Sequence, residues 1–338
     1  MPPQRSKIED VARLAGVSTA TVSRVLSRPA LVKPDTRERV HRAVQALDYL
    51  PSASAQALAS GRTHSVGYVV PTLDHTIFSK STHAMQQVLA QAGIQLLVAS
   101  HQYDWQAEYD IVMRLQQRRV DALVLVGTDH SPALWRKLKA WPHPVFLTWS
   151  CDPRFPSIGF DNHRIGYEAA QYLVSLGHRE IAVVTGHTAT NDRARARLTG
   201  FREGLAAHGI KLPPQRVSEQ DFTFEGGAAG LHNALAGKRR PTAIFCGVDV
   251  LAAGVVFEAQ RLGLGVPDEL SVMGVDNQEI AAAIVPSLTT LGLATADLGV
   301  VAAHQVIQAI AGKPVPHQSL HTIELIVRES TAALKPKP

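Results

Sequence analysis

Two sets of residues in this sequence of 338 could do chemistry, and they lie far apart along it. The first is Ser18, Thr19, Ala20, Ser23 and Arg24. At helical spacing Thr19, Ala20, Ser23 and Arg24 share one face, and Ser18 is a residue type that caps a helix start. Short side chains allow close approach to a surface, and a guanidinium can meet the O6/N7 edge of a guanine in a major groove. The second set consists of aromatics, acids and arginines that follow apolar runs: Asp74 and Phe78, Trp149 and Cys151, Asp161-Asn162, then Asp192, Arg193, Arg195 and Arg197, then Phe222, Asp249 and Asp276-Asn277. Acids and guanidiniums can hold hydroxyls or an anion while rings cover a ligand's apolar face. Neither set holds a nucleophile beside a base. Gly-x-Ser-x-Gly, His-Glu-x-x-His, a phosphate-binding P-loop and a dinucleotide fingerprint are all missing from the sequence. The 15 histidines are scattered without metal-ligand spacing, so no metal or cofactor is expected.

The first set needs short helices to position it. Ser6 and Glu9 stand at capping-box spacing, with Ile8, Val11, Ala12 and Ala15 on a helical stripe. Gly16 stops that helix and permits a tight turn, with Val17 as an apolar plug. Ser18 then caps a second helix whose buried face is Val22, Val25 and Leu26. A third is predicted from Pro34-Asp35, with Asp35 and Glu38 in capping-box register and Val40, Ala43, Val44 and Leu47 on one stripe. Two helices across a glycine turn, closed by a third, make a helix-turn-helix module. Charge agrees with this reading. Residues 1–62 hold ten Lys/Arg, eight of them arginine, against five Asp/Glu, and the rest of the chain holds 24 of each sign. Clustered basic residues gain affinity for phosphate by releasing counterions, so double-stranded DNA is the expected partner.

Residues 52–61 are nearly all small, and Leu58 is their only large apolar side chain. An alanine-rich helix this short is marginal alone in water, so the segment reads as a linker that orders when something holds it. Leu58 then has the character of an apolar wedge for a minor groove.

Beyond the linker, apolar runs such as Val66–Val70, Ala122–Val126, Val145–Trp149, Ile181–Thr185 and Leu270–Val275 alternate with helical stretches such as Ala84–Gln91 and Arg195–His208. That alternation predicts parallel sheets flanked by helices, and the length predicts two lobes. Ligands in such folds sit beyond the carboxyl ends of the strands, where the second set of residues falls. A composition 45% apolar and 19% charged excludes disorder. With no run of 18 apolar residues, no secretory signal pattern and only Cys151 and Cys246, a cytoplasmic protein without membrane contact is expected. The expected organisation is an all-α helix-turn-helix headpiece over residues 1–50, a hinge over 51–62 and an α/β two-lobed core over 63–338.

The ordered run Ile8-Glu9-Asp10-Val11-Ala12, Ala15-Gly16-Val17-Ser18, Thr21-Val22-Ser23-Arg24-Val25-Leu26 and Leu47-Asp48-Tyr49-Leu50-Pro51 resembles the headpiece of the lactose/galactose repressor family. The likeness continues through Gly159-Phe160-Asp161-Asn162, Arg193-x-x-x-Arg197-x-x-Gly200-Phe201, Gly274-Val275-Asp276-Asn277 and Pro286-Ser287-Leu288-Thr289-Thr290, and part of the core is similar to gluconate-operon repressors. The resemblance implies a core like periplasmic sugar-binding proteins, crossed three times by the chain. It implies that Thr19 and Ala20 set operator specificity, that Arg24 contacts a base, and that Leu58 wedges the centre of a pseudo-palindromic operator. It implies a cleft lined by Phe78, Trp149, Arg193, Arg197, Phe222, Asp249 and Asp276, which would bind a sugar or sugar acid as effector. Arg193 as a second arginine favours an anionic one. Two positions depart from the family: Ala20 offers only a methyl group, and Val248 lacks the polar side chain found there in other members. The C-terminus, with two prolines and no heptad repeat, predicts a homodimer rather than a tetramer.

The expected function is therefore a repressor controlled by a small effector, and not an enzyme. The rival from another class is a sugar kinase or hydrolase carrying a regulatory DNA-binding head, for which no nucleophile or phosphate loop is found.

Overall fold

The computed structural model describes residues 6–27, 29–50, 61–237 and 239–334. Leu58 lies outside them. Contacts divide the chain into two units, Met1–His64 and Ser65–Pro338.

In the first unit α1 (Ile8–Ala15), α2 (Thr19–Ser27) and α3 (Pro34–Ala46) enclose Val11, Ala12, Ala15, Val22, Val25, Val40 and Ala43. Gly16 adopts φ 65°, the left-handed conformation that ends a helix at least cost in a glycine. The expected caps differ in detail. Asp10, not Glu9, accepts the free backbone N–H at the start of α1, from Lys7 at 3.0 Å. Ser6 instead donates to the Leu47 carbonyl at 2.8 Å, fastening the entry of α1 to the exit of α3. Helix α3 has no side-chain cap; Pro34 occupies its first turn, where a missing N–H costs nothing. Asp35 and Glu38 face Arg39 and Arg42 one turn on, at 3.6 and 3.9 Å.

In the second unit, β1 (Ser65–Val70), α4 (Thr76–Gln91), β2 (Gln95–Ser100), α5 (Trp105–Gln117), β3 (Ala122–Val126), α6 (Pro132–Lys139), β4 (Val145–Trp149) and β5 (Ser157–Gly159) build the first lobe. The second holds α7 (Asn162–Ser175), β6 (Ile181–Thr185), α8 (Asp192–Ala206), β7 (Val217–Glu219), α9 (Phe224–Leu235), β8 (Ala243–Cys246), α10 (Asp249–Arg261), β9 (Ser271–Asp276), α11 (Glu279–Ala283) and β10 (Thr289–Leu293). Helix α12 (Thr295–Ile310) and β11 (Gln318–Leu320) return to the first lobe, and β12 (Ile323–Ile326) to the second. The two six-stranded sheets run β11-β5-β4-β3-β1-β2 and β12-β10-β9-β8-β6-β7. Their strands pair in parallel except β12, which lies antiparallel to β10 at the edge.

The chain crosses between lobes three times, at residues 160–161, at Ala294 and at residues 321–322, because α7 packs on α8 and α12 on α4. The α7–α8 crossing is unusually close. A Cβ at Gly166 would run into the Arg197 carbonyl, and one at Gly200 into the His163 carbonyl. Helices α4 and α8 are among those that begin earlier than their apolar periodicity predicts. Helix α4 starts at Thr76, and its first turns bury Phe78, Ser81 and Thr82. Helix α8 starts at Asp192 because the Asn191 side chain accepts the Arg193 and Ala194 N–H groups. Arg193 therefore stands one helical turn before Arg197 on the same helix, rather than in the loop that precedes it.

Candidate effector cleft and nucleic-acid interface

On α2 the two faces separate cleanly. Val22 and Val25 are buried while Thr19, Ala20 and Arg24 are exposed and Ser23 is half-buried. Ser18 caps the helix by accepting the Thr21 N–H at 3.2 Å. The exposed face is slim near its start and ends in one guanidinium, the shape that lets a helix reach base edges.

In the core, the strand ends of both lobes surround a chamber of about 30 Å³. Phe78, Trp149, Arg193, Arg197, Phe222 and Asp276 all line it, together with His75, Tyr103, Asn191 and Gln278. Asp249 is the expected residue that does not reach the wall. It opens α10, and its carboxylate turns inward, accepting from Thr290 Oγ1 at 2.6 Å and Gln278 N at 2.7 Å. The missing side chain at Gly274 leaves the room it occupies. Asp249 thus fixes the backbone of Gln278, which does line the chamber.

Arg197 is buried and oriented from three sides. Its Nε donates to Asn162 Oδ1 at 3.0 Å, one guanidinium nitrogen donates to the Gly247 carbonyl at 2.7 Å, and the same nitrogen lies 3.7 Å from Asp276 Oδ1. Asn162 also donates to the Trp149 carbonyl at 3.0 Å, so it links the end of β4 to α8 right beside the first crossing. Arg193 donates to its neighbour Asp192 at 2.7 Å. Trp149 and Asp276, the last residues of β4 and β9, sit at φ 71° and 111°, where residues other than glycine are uncommon. Such conformations persist where the surrounding structure imposes them, typically at ligand sites.

The electrostatics follow from burial. Desolvation pushes the Asp276 carboxyl up to about 6, against the opposing pull of Arg197. Asp249 is pushed well up by burial and then by the neighbouring Asp276 charge. For Asp192, burial also raises the carboxyl, but Arg193 and the hydroxyls of Ser150 and Thr128 outweigh it and hold it below the ordinary value. Asp276 Oδ1 is buried without a hydrogen-bond partner. A buried acceptor of this kind costs about 1–3 kcal/mol until something donates to it.

His75, Tyr103, Asn191 and Gln278 were not foreseen from the sequence. Tyr103 had a usable signal, since it closely follows a strand. Gln278 had none, because its place depends on Asp249 from another helix.

A DNA-reading helical head followed by a two-lobed ligand-binding core defines a ligand-responsive transcriptional regulator. The chain belongs to the lacI family of bacterial regulatory proteins. Residues 7–52 match the family model described by that name, and residues 170–331 match a periplasmic binding protein-like domain. The chain is 33% identical over 330 residues to the HTH-type transcriptional repressor PurR of Escherichia fergusonii, covering 96% of each. Among solved structures it is similar to the lac repressor dimer bound to operator and the anti-inducer ONPF, with a TM-score of 0.87 and 28% identity, covering 98% of this chain and 100% of that one. It is similar also to the transcription regulator GntR of Chromobacterium violaceum, with a TM-score of 0.74 and 29% identity over 79% of this chain and 99% of that one. A third likeness, with a TM-score of 0.72 and 27% identity, is to the regulator CelR in complex with cellobiose, over 96% of this chain and 100% of that one. The protein is a DNA-binding transcriptional regulator and not an enzyme.

Proposed function

We propose that this regulator is a cytoplasmic repressor that grips a pseudo-palindromic operator as a homodimer and changes its grip when a small sugar or sugar acid occupies the chamber. Ser18, Thr19, Ala20, Ser23 and Arg24 face the DNA in this reading, and Leu58 serves as the wedge of the hinge over 51–62. Phe78, Trp149, Arg193, Arg197, Phe222 and Asp276 hold the effector. The solved relatives that support it are a repressor dimer on operator and a regulator carrying cellobiose. The observation that carries the effector class is Asp276 Oδ1, a buried acceptor without a donor beside Arg197. A hydroxyl satisfies the acid, and a carboxylate or second hydroxyl satisfies the guanidinium.

The test is a thermal-shift screen of the full chain against neutral sugars, sugar acids and purines, followed by operator titration with each compound that binds. A bound compound raises the melting point by mass action. Sugars or sugar acids are expected to shift it and to alter operator affinity. Shifts from purines alone, or from none of the three classes, reject the effector reading.

A further inference from the structure

Beside the chamber lies a second, larger cavity of about 650 Å³, whose lining includes the polar residues Asp74, Gln102, His187, Gln220 and Asp221. His75 and Phe222 line both cavities. His75 comes from the first lobe, immediately before α4, and Phe222 from the second, between β7 and α9. Their rings meet across the cleft edge to face, with centroids 5.3 Å apart and planes at 88°. This is the favoured geometry for two rings, because edge hydrogens meet the π face.

The Phe222 ring also has a built seat. It lies against Gly186, just after β6, so closely that a Cβ there would collide with three of its ring atoms. Gly186 has no need of a left-handed backbone, so the absent side chain serves the ring and not the turn. Both rings are half-buried and belong to loops rather than to the strands.

We propose that His75 and Phe222 form an aromatic gate between chamber and vestibule, and that this gate sets the size of the effector: a compact molecule enclosed behind the closed pair, not a chain of units reaching through it. This rests on the chamber being the effector site, but the gate itself can be tested without any effector. Ligand entry then requires the lobes or the two loops to part, a motion of the kind that lids undergo in microseconds to milliseconds.

Trp149 supplies the readout, since it lines the chamber and is only 1% exposed. In the full chain carrying Trp105→Phe, Trp135→Phe and Trp141→Phe, Trp149 is the remaining tryptophan, and its collisional quenching reports access to the chamber. With acrylamide and with a neutral nitroxide of sugar-ring size, quenching constants are expected to be low in that parent. They should rise several-fold in Phe222→Ala and in His75→Ala. Gly186→Ala, which unseats the ring without removing it, should raise them too. Circular dichroism and the melting point, compared with the parent, identify any variant that has lost its fold. Constants unchanged in folded Phe222→Ala and His75→Ala, or already high in the parent, overturn the gate. A gate that opens as described while no sugar or sugar acid binds would count against the effector reading alone.

Discussion

Asp192 and Thr128 are joined by two hydrogen bonds across the cleft: Asp192 Oδ2 accepts from Thr128 N at 3.1 Å and from Thr128 Oγ1 at 3.0 Å. Thr128 follows β3 in one lobe and Asp192 opens α8 in the other, so the contact closes the cleft. The next residue of the same loop, Asp129, pairs with Arg195 of α8 at 2.5 Å. Gly127 makes room for this, because a side chain there would strike the Arg193 guanidinium and the Asp192 carboxylate. The helix that carries both chamber-lining arginines is therefore latched to the opposite lobe.

Thr128→Val removes one of the two donors from a buried charged acceptor, a loss of about 1–3 kcal/mol to the closed arrangement. Small-angle scattering should show a larger radius of gyration in the variant, and effector affinity should fall by roughly tenfold or more. Wild-type scattering together with wild-type affinity would show that the latch is not what holds the lobes.

Asp276 makes stability depend on pH. Its carboxyl is raised from 3.8 to about 6 in the fold, so folding favours the protonated form. The resulting contribution is fully present below pH 3.8 and is lost as pH rises through about 6. The difference corresponds to about 3 kcal/mol, and Asp249, shifted in the same direction, adds to it. Asp276→Asn should flatten the fall in melting point between pH 4 and 7. It should also stabilise the core at pH 8 while weakening the effector response. Parallel pH profiles for the two proteins would contradict the assignment.

Arg197→Ala should abolish the effector response and leave ligand-free operator binding nearly intact, since the residue lies in the core unit and not in the headpiece. Anisotropy titrations with labelled operator, with and without effector, read both quantities at once. A variant that still responds at wild-type effector concentrations removes Arg197 from the site.

For the headpiece, Arg24→Ala should cost about 1–3 kcal/mol on the cognate operator and far less on random DNA, if the guanidinium reads a base edge. Equal losses on both DNAs would reduce its role to phosphate neutralisation.

Gly200→Ala tests the crossing that carries Arg197. An added methyl group meets the His163 carbonyl, which belongs to a helix backbone and cannot swing away. The expected loss is about 3 kcal/mol or more, at the upper end of overpacking effects, read from the urea midpoint. A midpoint within error of wild type would mean that α7 and α8 can separate freely.

Much of this protein was legible in the residues themselves, because the signals are local. The glycine turn, Ser18 as a cap and the alternating faces of α2 need only periodicity and the net charge of residues 1–62 to be read. The alternation of strands and helices and the positions just after strands were equally visible, and they located Phe78, Trp149, Arg193, Arg197, Phe222 and Asp276. The start of α8 is hidden in the sequence, since its polar first turn, Asp192 to Arg195, gives no apolar periodicity.

Sequence by itself determined which residue types stand at the strand ends and on the exposed face of α2, since spacing along one element is a one-dimensional property. Only the tertiary structure decided what those residues do to one another. It turned Asp249 away from the chamber into the space left by Gly274, and it set Asp276 Oδ1 3.7 Å from Arg197 with no donor of its own. It also brought Thr128 to Asp192 and His75 to Phe222 from opposite lobes. The physical reason is that burial and pairing arise from three crossings of the chain, and no periodicity encodes which loops those crossings bring face to face.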